Sequence, residues 1–205
     1  MRRYAVPVLL TIVLCAPVAR TQILSVYGTY SAAHFSSVES GAVSTVSATV
    51  VNYTSFWASG VGGGVTFGFP PIGPVKIGFD VRGSTRKGTS GADLAMVGPK
   101  VGFKLPIVPL KPYIQASGGY IATRTPDSSV YAGTPTGGTY NNQYIAYEVL
   151  GGVDYSVIHF IDLRLIEIGG GEGFSVGQVA NASGVHTSSQ RIPVLTINTG
   201  IVVHF

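Results

Sequence analysis

Residues 190–205 read QRIPVLTINTGIVVHF, and their pattern decides the fold. Counting back from the end, Phe205, Val203, Ile201, Ile197, Leu195 and Pro193 share one face, with Thr199 the only polar interruption. His204, Gly200, Asn198 and Thr196 share the other, with Val202 the apolar exception. This is the period of two of a β-strand, carried largely by β-branched residues, over more than the usual length of about five or six residues. An apolar strand at the end of a soluble domain exposes an unpaired edge, and neither a charge nor a proline interrupts residues 196–205. Pairing that strand into a closed barrel removes the edge.

Composition narrows the surroundings of such a barrel. The chain of 205 residues is 45% hydrophobic and only 11% charged, whereas soluble chains average about 25% charged. A surface facing water would be short of charge. The 28 glycines and 12 prolines favour many turns over long helices. After residue 21 no apolar run reaches about 18 residues, so no transmembrane helix is expected. Strands of about ten residues, tilted near 45°, cross a bilayer without one.

The net charge of +4 misleads, because Arg2, Arg3 and Arg20 belong to a leader. Without them ten cations face nine anions, and charge gives no support to nucleic acid as a partner, so none is expected. Residues 1–21 read as a cleaved secretory signal: two arginines, an apolar core over residues 6–14, then small residues. Cleavage is expected after Thr21, with Ala19 and Ala16 as alternatives. Cys15, the single cysteine, lies inside this leader, preceded by Leu14 where a lipid anchor needs a small residue. Residues 22–205 then form one domain without thiol chemistry.

Eight strands are expected, over residues 23–30, 56–69, 75–82, 92–103, 110–122, 141–155, 160–168 and 190–205. The connections alternate in length: 31–55 long, 70–74 short, 83–91 long, 104–109 short, 123–140 long, 156–159 short, 169–189 long. In the first strand the faces of Tyr27 and Tyr30 stay open. Pro99 is awkward in the fourth, since it removes a ladder donor. In the seventh, strict alternation puts Glu167 on the apolar side, so a bulge near Leu165 and Ile166 is expected to turn it inward.

The terminal aromatic Phe205, with Val203 and Ile201 at every second position before it, resembles the carboxyl-terminal signal of bacterial outer-membrane β-barrels. The strand pattern and loop order are similar to the OmpA-like eight-stranded transmembrane barrel domain family, over essentially all of residues 22–205. That resemblance implies an eight-stranded antiparallel up-and-down transmembrane β-barrel in the outer membrane of a Gram-negative-type bacterium. It implies short links on the periplasmic side, and a barrel-assembly machinery that reads the last strand during insertion. Outer-membrane lipid is then the standing partner, with an extracellular ligand of the outer loops as a further one.

The inner faces are expected to carry Lys76, Asp80, Arg82, Lys100, Gln115, Glu148, Asp154, Asp162, Arg164 and Glu167. Eight strands leave an interior just wide enough for side chains, where unpaired charges are expensive. A plugging network of salt bridges is therefore expected, with a narrow pore for ions or small solutes as the alternative. Trp57, Phe67, Phe69, Phe79, Phe103, Tyr120, Tyr147 and Tyr155 are expected as interfacial aromatics. His186 and Ser188 have the His-x-Ser spacing of outer-membrane lipid A deacylases, but residues 189–205 contain no Asp or Glu to complete a triad. His34, His159 and His204 have no metal-ligand partner at useful spacing. Neither an enzyme nor a cofactor or metal site is expected. The outer loops 31–55, 123–140 and 169–189 are the expected contact surfaces.

Overall fold

Period-two alternation turns most of the described residues into strand. The computed structural model describes residues 24–44, 49–131, 134–135, 138–175, 180–181, 184–185 and 190–205. The expected leader, residues 1–21, and the pair His186 and Ser188 lie outside the described residues. The long strands are β1 (Leu24–Ser44), β2 (Thr49–Gly68), β3 (Val75–Lys87), β4 (Gly91–Phe103), β5 (Leu110–Pro126), β6 (Thr139–Ile158), β7 (Ile161–Ser175) and β8 (Arg191–His204). Each pairs antiparallel with the next, and β8 returns to β1 with His204 opposite Ser25 and Val194 opposite Phe35. The fold is an eight-stranded antiparallel up-and-down β-barrel.

Stagger accompanies closure. Partners traced from Ile201 through Gly28, Gly63, Gly83, Ala95, Tyr120, Ile145 and Phe174 return to β8 at Arg191, ten residues from the start. Such shear tilts the strands against the barrel axis. Pro99 faces outward in β4, and β4 to β5 pairing skips Gly98 and Pro99 without changing register on either side. In β7 the register against both neighbours shifts at Leu165. Leu165 and Ile166 both face out there, and Glu167 turns in, 1% exposed.

Four connections are shorter than the sequence pattern indicates. Residues 31–44 and 49–55, expected as loop, are paired strand in β1 and β2, and only 45–48 separate them. The expected connection 83–91 is mostly strand, since β3 runs to Lys87 and β4 starts at Gly91. Likewise β5 continues to Pro126 and β7 to Ser175. In the connection after β5, the two-residue strands Val130–Tyr131 and Thr134–Pro135 pair with each other, and the former also pairs parallel to Val43 and Ser44.

Strand lengths make the wall uneven. β1 and β2, with 21 and 20 residues, rise roughly 50 Å at about 3.3 Å per residue and about 40° tilt. β3 and β4, with 13 residues each, rise only about 33 Å on the same basis. The tall hairpins stand at the end opposite the short links 69–74, 104–109 and 159–160.

Candidate functional site

The inward residues of the strands meet along the barrel axis, and they separate into three levels. Nearest the short links, Asp162 accepts from Lys111 Nζ at 2.9 and 2.7 Å and from Ser156 Oγ at 2.8 Å. His204 Nε2 lies 2.7 Å from the same carboxylate, and its Nδ1 lies 2.7 Å from Ser25 Oγ. This cluster ties β5, β6 and β7 to the two strands that close the ring. Lys76 is half-buried at this end and has no hydrogen-bond or ion-pair partner among the described residues.

The middle level is a charge network. Arg82 donates to Glu167 Oε1 at 2.9 Å, to Asp80 Oδ2 at 3.1 Å and to Gln115 Oε1 at 2.7 Å. Arg164 donates to Asp154 Oδ1 at 3.0 Å and to Glu167 Oε2 at 3.1 Å. Lys100 stands 4.0 Å from Asp154. Three cations thus meet three carboxylates, so desolvation of each charge is offset by an opposite one. Neutral donors complete the acceptors: Tyr27 and Thr66 donate to Asp80, and Tyr113 and Asn198 donate to Glu167.

Two tyrosines shape this level. The Arg164 guanidinium lies between the rings of Tyr27 and Tyr113, 4.4 and 5.0 Å from their centroids. Each ring occupies space that a glycine leaves open on the neighbouring strand. A Cβ at Gly64 would come 2.5 Å from Tyr27 Oη, and one at Gly152 would come 2.5 Å from Tyr113 Cζ. These glycines are register partners of the tyrosines they admit.

Above it, Glu148 accepts from Thr196 Oγ1, and Arg86 donates to Ser31 Oγ at 2.6 Å. Between them is a cavity of about 20 Å³, lined also by Ser84, Arg82 and Glu167. Arg86 Nε and Nη1 and Ser84 Oγ have no side-chain or backbone acceptor or donor there. A polar cavity of this size accommodates about one water molecule.

The third level is apolar, which corrects the expectation of a polar lumen throughout. Phe35, Leu94, Met96, Ile121, Tyr144 and Ile192 form the centre of a buried hydrophobic cluster inside the upper barrel. The tip of β1 closes over it. Register shifts between Phe35 and Val38 and between Glu39 and Gly41 bend the strand across the mouth toward β5 and β6. Asn142 Nδ2 donates to the Glu39 carbonyl at 2.7 Å, Tyr140 donates to Glu39 Oε1 at 2.7 Å, and Ser128 N–H donates to the Ser40 carbonyl at 2.8 Å. Burial, and then the bond to Glu39, pushes the Tyr140 phenol above its ordinary pKa, so it stays a donor. Gly41 has φ +138°, and a Cβ there would meet Ser129 Oγ at 2.5 Å.

Of the ten residues expected in one polar network, Asp80, Arg82, Lys100, Gln115, Asp154, Arg164 and Glu167 meet in the middle level. Asp162 belongs to the separate cluster near the short links, Glu148 sits above the others, and Lys76 joins none of them. Sequence reasoning missed Tyr27, Thr66, Arg86, Lys111 and Asn198, and also the bonds of His204. The glycines opposite Tyr27 and Tyr113 were the available signal for those two rings. Outside, Trp57, Phe67, Phe69, Phe79, Phe103, Tyr120, Tyr147 and Tyr155 are all exposed, as are Ile201 and Phe205, with Val203 half-buried.

No family model matches the chain, and no curated protein matches it in sequence. Among solved structures it is similar to Neisserial surface protein A, at 18% identity over 89% of this chain and 97% of that one, with a TM-score of 0.46. It is similar also to Ail, the attachment invasion locus protein of Yersinia pestis, at 11% identity over 88% and 98%, with a TM-score of 0.46. A third is the outer membrane protein OprG from Pseudomonas aeruginosa, at 9% identity over 89% and 95%, with a TM-score of 0.44.

Proposed function

We propose that this chain is an integral outer-membrane protein of a Gram-negative-type cell, of the OmpA-like eight-stranded kind. Its interior is a plug, and its role is structural or surface-interacting through the outer hairpins. The observation that carries this reading is the contrast between its two surfaces. Outside, Phe, Tyr, Trp, Val, Ile and Leu side chains stand exposed along every strand, as hydrocarbon requires and water disfavours. Inside, balanced charges lie under an apolar cluster and the tip of β1, which supports a plug.

In this reading residues 1–21 are a cleaved leader, and the eight exposed aromatics named above sit at headgroup level. Ile201, Val203 and Phe205 are the signal read by the barrel-assembly machinery. Membrane lipid is the standing partner, and an extracellular ligand meets the tips of the β1–β2 and β5–β6 hairpins. Neither catalysis nor a cofactor belongs to this role. The narrow-pore alternative draws on the polar middle level alone, and the apolar level above it opposes ion passage.

Extraction from the outer-membrane fraction followed by gel electrophoresis with and without boiling tests the barrel. A faster unboiled band is expected, together with no steady conductance in planar bilayers. Recovery from the soluble periplasm without that shift would remove the membrane reading. Steady channels whose selectivity changes in Lys100→Ala or Arg164→Ala would replace the plug by a pore.

A further inference from the structure

The end with the short links carries a surface that neither the plug nor the outer hairpins use. The link 104–109, Lys-Leu-Pro-Ile-Val-Pro, exposes Ile107 by 93%, and the link 69–74 exposes Ile72 by 73%. These are not loose segments. Lys104 N–H donates to the Pro74 carbonyl at 2.8 Å, and Ser156 N–H donates to the Pro109 carbonyl at 2.8 Å, so link 104–109 is tied to the hairpin on either side. Pro106 and Pro109 restrict it further.

The link frames a groove of about 350 Å³ whose lining includes Leu105, Val108 and Leu110 together with Lys104 and Lys111. That volume lies at the small end of the roughly 300–1,000 Å³ typical of ligand sites. The two lysines differ in electrostatic state. Lys111 is neutralised by Asp162 at 2.7 Å, whereas the exposed Lys104 ammonium has no partner among the described residues. Phe103, next to Lys104 in the chain, and Tyr155 and Val157, on either side of Ser156, are exposed as well. A largely apolar trough that carries one unneutralised cation has the complement of a lipid with an anionic headgroup.

We propose that this groove seats one anionic phospholipid of the periplasmic leaflet, its phosphate at Lys104 and its glycerol and acyl portion against Leu105, Val108 and Leu110. The proposal rests on the membrane reading above. It places a specific lipid contact at the end where the ring is closed, next to the cluster that joins Lys111, Asp162 and His204.

Native mass spectrometry of the folded protein in non-ionic detergent, titrated with palmitoyl-oleoyl phosphatidylglycerol, reads the site directly. One retained lipid is expected. Lys104→Ala should weaken its retention roughly fivefold, the worth of one lysine facing an anionic lipid surface. Leu105→Ser with Val108→Ser should weaken it further, and Lys87→Ala at the opposite end should leave it unchanged. Equal retention in Lys104→Ala, or displacement of the lipid by equimolar inorganic phosphate, would overturn the proposal, the second by pointing to a free-phosphate site. If a variant loses its heat-dependent gel shift, the wild-type protein decides alone: a photoactivatable phosphatidylglycerol must crosslink within residues 104–111, and labelling only elsewhere refutes the site. A wild type with no gel shift would instead remove the membrane reading itself.

Discussion

Glu167 accepts hydrogen bonds from Arg82 on β3, Tyr113 on β5, Arg164 on its own strand and Asn198 on β8. Asp80 and Asp162 join as many strands, but among the described residues Glu167 alone neutralises two guanidiniums, and both are buried. Glu167→Ala leaves these cations short of negative charge in a dry interior, and it should cost about 3–5 kcal/mol. Urea unfolding from lipid vesicles measures the loss, and a value near zero would mean that water reaches the network. Glycine is the second lever at this scale. Gly152→Ala drives a methyl into Tyr113 and should cost about 1–3 kcal/mol by overpacking. Gly170→Ala meets nothing within 4 Å and serves as the control expected to match wild type in the same unfolding assay.

The element that departs most from its sequence pattern is β1. Above Ala33 its alternation fades into Ser, Glu and Gly, because that part stands beyond the apolar exterior and no longer needs an apolar outward face. Small and polar residues therefore read as loop although most of their backbones pair with β2 on either side of the two register shifts. The same reason hides the upper ends of β3, β5 and β7, whereas the apolar half was legible in the strands after the first, where the faces of Tyr27 and Tyr30 stayed open. The tip of β1 is held across the mouth by Tyr140 and Asn142 of β6 and by the Ser128 N–H in the connection after β5, so its closure depends on a few hydrogen bonds. Removing one such bond costs about 1 kcal/mol. Asn142→Ala should speed amide hydrogen exchange in residues 38–44 about fivefold, with exchange in β8 unchanged. Unchanged exchange at the tip would show that main-chain pairing alone holds it.

The whole molecule depends on contacts made late in the chain, since β8 pairs with β1 across a separation of 179 residues at Ser25 and His204. A chain ending at Gln190 leaves β1 and β7 as open edges, and it should aggregate without a heat-modifiable band. Under the proposed role of the terminal aromatic as an assembly signal, Phe205→Ala should refold in detergent like wild type but accumulate less in the outer membrane of cells; Phe205 is 36% exposed. Loss of refolding in detergent would assign Phe205 to stability instead. The sequence by itself determined the barrel, because its outward apolar pattern, its turn residues and its shortage of charge are local or compositional quantities. It also determined the inward turn of Glu167, since a carboxylate on the apolar side is too costly to leave there. Only the tertiary structure decided how the interior is filled: which carboxylate each guanidinium meets, that Tyr27 and Tyr113 enclose Arg164, and that an apolar level covers the charges. Those depend on shear and on the bend of β1, which bring together residues on strands far apart in sequence, and alternation along one strand carries no record of what stands across the lumen.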